Sequence, residues 1–142
     1  MMQAIDPGEA ESEIDALAAA FFAVFDNRSA LRVDLDKLRT LCIPQALLIK
    51  AVGPVPEICH MDAFIAPRER LLNGGTLTDF HERELSARTE IFGNVVQRWC
   101  RYRKAGVLEG RAFASEGMKG LQFLRTLQGW RISAVLWGDE PA

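Results

Sequence analysis

The hydrophobic pattern changes character once along the chain. In the first part it repeats at helical spacing: Ile14, Leu17, Ala18, Phe21, Phe22 and Phe25 fall at i, i+3, i+4, i+7, i+8 and i+11, one face of an amphipathic helix. The start of that helix is marked by "DPGE", where Asp6 can cap, Pro7 suits the first helical position and Glu9 stands where a capping box has its acid. Asp26 and Asn27 mark its end. A second short helix is predicted from Asp34 to about Cys42, with Leu35, Leu38 and Leu41 inward and Pro44 stopping it. "QALLIKAVG" reads as a strand. A third helix follows, capped near Asp62, ended by Asn73, Gly74 and Gly75, and made irregular or divided by Pro67.

After residue 76 the period becomes two. Runs of alternating residues, separated by "GN" at 93 and 94, "KAG" at 104 to 106 and "QG" at 128 and 129, predict a meander of four antiparallel strands. Helices segregated before an antiparallel sheet define an α+β fold, here one domain over residues 1–142, with the helices covering the inner face of a curved sheet. A bent sheet wrapped on one long helix makes a cone with an open mouth. Such a mouth is a natural pocket.

Alternation assigns faces within the meander. His81, Arg83, Leu85, Ala87, Thr89 and Ile91 form the more apolar set and are expected inside, with Glu82 and Glu84 outside. The next strand stays open between Val95, Gln97, Trp99 and Arg101 on one face and Val96, Arg98, Cys100 and Tyr102 on the other; polar residues in both sets suggest that both faces are covered. In "GWRISAVLW" the two tryptophans stand seven apart, so an unbroken strand sends Trp130 into the cone and Trp137 outward, where a second subunit would cover it. Gly117 and Gly120 in "GMKGLQF" mark a bulge or a close backbone approach rather than a phosphate cradle, since no helix follows. Lys119 and Gln122 are polar groups within this apolar run, and an amide inside a cone can orient a ligand.

Charge and cysteines narrow the function classes. A formal net charge of -2 in a chain with 25% charged residues gives no electrostatic reason to expect nucleic acid, and the basic cluster Arg98, Arg101, Arg103 and Lys104 reads as a solvated strand edge. Cys42, Cys59 and Cys100 are odd in number and widely spaced, which predicts reduced thiols in a cytoplasmic protein. "ALAAAFFAVF" follows acidic residues and is too short to span a bilayer, so neither a secretory leader nor a membrane anchor is expected. No metal is expected either, because Cys59 and His60, adjacent on a strand, would point to opposite faces.

The stretches "DFHERELSARTEIFGNVVQRWCRYRKAG", "GMKGLQF" and "GWRISAVLWGDE", together with the leading helix, resemble the nuclear transport factor 2-like superfamily, also called the ketosteroid isomerase or SnoaL-like fold. The resemblance implies the cone-shaped fold and commonly a homodimer. It spans isomerases, dehydratases, cyclases, small-molecule binders and structural dimers. In the isomerase branch a carboxylate base works against a tyrosine and a protonated acid, and this chain has one tyrosine, Tyr102. The cyclase and dehydratase branches use Asp and His pairs, and His60 and His81 fall at no matching motif. His81 and Tyr102 are the catalytic candidates from the residues themselves. The leading expectation is a homodimeric protein binding a small organic molecule without a cofactor, in a pocket drawn from Phe22, Phe25, Met61, Phe64, Trp99, Tyr102, Gln122 and Trp130. An isomerase, dehydratase or cyclase using acid and base groups of the same pocket is the alternative, and a structural dimerisation module with a filled pocket is a third.

Overall fold

A computed structural model of the chain describes residues 6–140. Asp6 caps helix α1 (Pro7–Ala23), its carboxylate accepting from the Glu9 amide at 3.1 Å. Single turns at Arg28–Ala30 and Leu35–Lys37 lead into the short helix α2 (Leu38–Leu41). Strand β1 (Cys42–Lys50), the short β2 (Glu57–Cys59) and helix α3 (Met61–Asn73) complete the first half. Pro67 neither divides nor ends α3, which runs unbroken from Met61 to Asn73.

The meander follows as β3 (Leu77–Phe92), β4 (Val95–Leu108), β5 (Arg111–Thr126) and β6 (Gly129–Asp139). The sheet order is β2-β1-β6-β5-β4-β3, a curved and unclosed sheet in an α+β chain. β1 lies parallel to β6, so the sheet is mixed rather than wholly antiparallel. The middle turn is not at "KAG". Lys104, Ala105 and Gly106 lie within β4, and the chain reverses at Glu109 and Gly110, whose φ values of 51° and 83° suit a tight two-residue hairpin.

The core is one face of this sheet against α1. Ala10, Ile14, Phe21, Phe22 and Phe25 form one core cluster with Val96, Cys100, Leu121, Phe123, Trp130, Ile132 and Val135, all buried. Each fully buried aliphatic or aromatic side chain stabilises the fold by about 2 kcal/mol relative to leaving it exposed. Asn27 ties the end of α1 into place. Its side chain accepts from the Phe80 amide at 2.7 Å and donates to the Leu72 and Leu77 carbonyls at 2.9 and 2.7 Å.

Three extra residues decide which side chains face the core. β3 carries one more residue than β4 between Thr78 and His81, where Asp79 has φ 47°, and another between Glu84 and Ser86; β6 carries one more than β5 between Ile132 and Ala134. Each bulge reverses the in-out order beyond it. Glu82 and Glu84 therefore turn inward with Phe80, and Thr89 and Ile91 take the inner positions past Leu85. Ser133 is the extra residue of β6, so Trp130, Ile132, Val135 and Trp137 all face in, while Leu136 is exposed. The expectation that Trp137 faces outward to a second subunit fails for this reason. On β4 the inner set is Val96, Arg98, Cys100 and Tyr102, and Trp99 is on the outer face, 53% exposed.

Candidate functional site

Where the helices stop covering the sheet, an open cavity of about 620 Å³ remains. Phe21 of α1, Phe25 just past its end, Phe64 of α3, Phe80 of β3, Phe113 of β5 and Trp137 of β6 contribute to its apolar walls. Its charged groups include four from the long strands of the sheet, Glu82 of β3, Lys104 of β4, Lys119 of β5 and Asp139 of β6. All four are inward positions, and the bulges of β3 and β6 put two of them there.

Lys119 is the deepest of these groups, its side chain only 5% exposed. Its ammonium stands 3.5 Å from Glu82 Oε2 and is ringed by aromatic faces, 4.5 Å from the Tyr102 centroid, 4.7 Å from Trp137, 5.7 Å from Phe22 and 5.9 Å from Phe21. Burial pulls its proton affinity below the ordinary lysine value, against the opposing charge of Glu82. A second pair lies beside it. Lys104 Nζ meets Asp139 Oδ2 at 2.6 Å, and the Tyr102 hydroxyl donates to Asp139 Oδ1. Burial works to raise the Asp139 carboxyl, but the hydrogen bonds from Lys104 and Tyr102 outweigh it and hold the group below the usual aspartate value. Burial, followed by the Asp139 hydrogen bond, pushes the Tyr102 phenol up.

Gly117 makes this second pair possible. It lies between Tyr102 and Asp139 in the ladder, and a Cβ there would come within 2.9 Å of the Tyr102 hydroxyl. The close backbone approach expected from the glycine is present and serves the Tyr102–Asp139 contact.

At the mouth, Arg68 of α3 lays its guanidinium over the Phe64 ring, 3.9 Å from the centroid, and 5.9 Å from that of Trp137. Nη1 donates to Glu57 Oε1 at 3.4 Å and to the Phe64 carbonyl at 3.3 Å. Trp137 thus has two cations near its ring, Lys119 at 4.7 Å and Arg68 at 5.9 Å from the centroid.

The residues expected in the pocket divide into three groups. Phe25 and Phe64 line the cavity. Phe22, Met61, Tyr102 and Trp130 are buried in the packed core instead, with Tyr102 behind Lys119. Trp99 and Gln122 lie on the opposite face of the sheet, where they line a second depression of about 520 Å³ with Gln97 and Leu136. His81 is separated from the cavity because the bulge before it turns Phe80 and Glu82 inward, and its buried Nδ1 has no hydrogen-bond partner among the described residues. Lys119 had been marked by the sequence as a polar residue in an apolar run. Glu82, Lys104, Asp139 and Arg68 had not, since each sits in a charged stretch that reads as solvated surface. Among the described residues no three His, Cys, Asp or Glu side chains stand close enough to hold a metal ion, and no helix is long and apolar enough to cross a membrane.

This architecture is shared with solved structures. A nuclear transport factor 2-like superfamily protein from Salmonella enterica superposes with a TM-score of 0.80 over 96% of this chain and 95% of its own, at 13% identity. The chain has the nuclear transport factor 2-like fold. A nuclear transport factor 2-like protein with a cystatin-like fold from Novosphingobium aromaticivorans matches with a TM-score of 0.72 at 18% identity, covering 92% of this chain and 82% of that one. A candidate dehydratase of the same fold from Streptomyces avermitilis matches with 0.74 at 11% identity, covering 96% and 100%. No family model matches the sequence, and no curated protein does. At such identities the nuclear transport factor 2-like cone is what these proteins have in common, and the chemistry rests on this chain's own side chains.

Proposed function

We propose that the cone is an active site that moves a proton at the carbon beside a carbonyl group of a small, partly apolar organic molecule. The observation that carries this reading is the Lys119–Glu82 pair, an ammonium and a carboxylate 3.5 Å apart at the edge of an apolar cavity. Glu82 is the base. Lys119 donates to the carbonyl oxygen and stabilises the negative charge that develops there when the proton leaves, a charge for which the aromatic walls offer no water. Asp139, kept ionised by Lys104 and Tyr102, places a second negative charge near Lys119, offset by the positive charge of Lys104, while Glu82 is the carboxylate that most favours the Lys119 ammonium. A dehydratase, the description given to the Streptomyces avermitilis neighbour, can begin with the same proton removal.

The test is loss of α-proton signal in heavy water, followed by magnetic resonance over a panel of small ketones. Removing a general base is expected to slow exchange by roughly 100-fold or more, so Glu82→Gln should lose most of the activity while remaining folded. Exchange at the wild-type rate in that variant would remove Glu82 from the mechanism.

A second copy of the chain covering the outer face is also part of this reading. Trp99, Val95 and Leu136 are 53%, 53% and 46% exposed there, and Trp99, Gly120 and Leu136 occupy adjacent ladder positions, so they form one continuous apolar stripe. The residue to change is Trp99, in place of Trp137. Trp99→Glu should convert a dimer to monomer by sedimentation without lowering the unfolding midpoint; a variant as dimeric as the wild type puts the interface elsewhere.

A further inference from the structure

We propose that Lys119 binds its substrate covalently, condensing with the ketone of an oxo acid whose carboxylate is held by Arg68 across the Trp137 ring. This rests on the cavity being a site for carbonyl compounds; it replaces the hydrogen bond from Lys119 to the carbonyl oxygen with a bond to the carbonyl carbon, and adds the substrate class.

The two cavity lysines differ in what surrounds the amine. Lys104 is fixed by a carboxylate oxygen at 2.6 Å. Lys119 has its carboxylate at 3.5 Å, beyond the ordinary range for an N–H···O hydrogen bond, and four aromatic rings within 6 Å. Rings favour the ammonium weakly and accept no proton. An amine so placed gives up its proton more readily than one locked in an ion pair, and burial acts in the same direction.

The chemistry balances with groups already in the cavity. The Lys119 ammonium passes a proton to Glu82, and the freed Nζ lone pair forms a bond to the ketone carbon as the carbonyl π bond opens onto oxygen. Glu82 returns the proton to that oxygen, then takes a second proton from the adduct nitrogen and delivers it to the same oxygen, which leaves as water while the freed nitrogen lone pair forms the C=N bond. Ammonium and ketone have become iminium and water. Glu82, again ionised, can then remove the adjacent proton, with the iminium nitrogen receiving the electron pair.

Arg68 supplies the substrate class. Its side chain is 18% exposed and lines the same cavity, and both of its hydrogen bonds to the protein leave from Nη1. Nε and Nη2 donate to no acceptor among the described residues, which leaves a planar edge that suits a carboxylate. The Trp137 ring, within 6 Å of both cations, offers an apolar surface for the carbon chain joining acid to ketone.

The experiment treats the full chain with 4-oxopentanoate and sodium cyanoborohydride, then reads intact mass and maps peptides. The expected product is a single adduct, of the oxo acid's mass less one oxygen atom, on Lys119 and not on Lys37, Lys50 or Lys104. Arg68→Leu should slow labelling by 4-oxopentanoate about tenfold, the loss of one charge-assisted contact, and leave labelling by the neutral 2-pentanone unchanged. Absence of an adduct, or adducts spread evenly over the four lysines, overturns the covalent step, and equal slowing of both ketones overturns the role of Arg68. Deuterium exchange on the same samples separates the two proposals: exchange without an adduct defeats the imine and spares the proton transfer, whereas neither signal defeats both. Because the adduct is located on the wild-type chain, the result does not depend on a Lys119 variant folding.

Discussion

Arg98 and Lys119 are both buried cations on the inner face of the same sheet, yet their surroundings are opposite. Arg98 uses all three guanidinium nitrogens: Nε and Nη2 bind Glu84 at 2.8 and 2.7 Å, and Nη1 binds Asp15 at 2.7 Å and the Thr89 hydroxyl at 2.8 Å. The Glu84 hydrogen bonds favour its charged form further, against the cost of burial. Lys119 has one carboxylate at 3.5 Å, a ring of aromatic faces and an open cavity, and burial disfavours its charge. A buried charge whose donors are all matched ties α1 to the sheet. One left incompletely matched beside a cavity is available to a ligand.

The largest effect should come from breaking the matched cluster. Arg98→Met leaves the half-buried Glu84 without its partner, and removing one member of a buried ion pair costs about 3 kcal/mol. Urea unfolding should show this as a lower midpoint with an unchanged slope. A loss well under 1 kcal/mol would mean that the network contributes little beyond what water provides.

Asp139 lies between these extremes, since it faces the cavity but is fully engaged by Lys104 and Tyr102. Asp139→Asn weakens two charge-assisted hydrogen bonds and should cost about 2 kcal/mol near neutral pH. Because the folded-state carboxyl titrates below its ordinary value of 3.8, this stabilisation is present above that pH and is lost as pH falls through the lower folded value. Wild type and variant should therefore converge in acid. A constant gap between their unfolding midpoints across that range would show that the carboxylate charge is not what stabilises the strand end.

How much of this was legible in the sequence depends on where the bulges lie. The helix from Asp6, the change of period after residue 76 and the close approach at Gly117 all leave compositional marks, a cap, an alternation and a glycine among larger residues. The faces do not. The extra residue of β6 is Ser133 and one of those in β3 is Leu85, neither a residue type that signals irregularity, yet each reverses every assignment beyond it. This is why Trp137 was expected outside, and why Glu82 was read as surface when it faces Lys119. Where no bulge intervened in the strand itself the unresolved choice was between two mixed faces, and Arg98 is the reason: a buried arginine with matched partners makes an inner face look polar.

The smallest change in stability should come from Lys119→Met, and it is the change that decides the comparison. Replacing a buried charge by an apolar side chain of similar length removes a desolvation cost along with a single long ion contact, so the net effect should stay within about 1 kcal/mol of wild type and can be favourable. The pH dependence fixes the sign. The folded-state amine titrates below its ordinary value of 10.5, so between the two values the unfolded chain binds more protons, and this group's contribution makes the wild type more stable as pH rises. Relative to wild type, Lys119→Met should therefore be at its best below the folded-state value and lose that advantage as pH approaches 10.5, with proton exchange and ketone labelling abolished throughout. Measuring the two unfolding midpoints together across that range checks both. If the variant instead lost as much stability as Arg98→Met, Lys119 would belong with the structural cations, and the aromatic ring around it would be a stabilising cage with no ligand to receive.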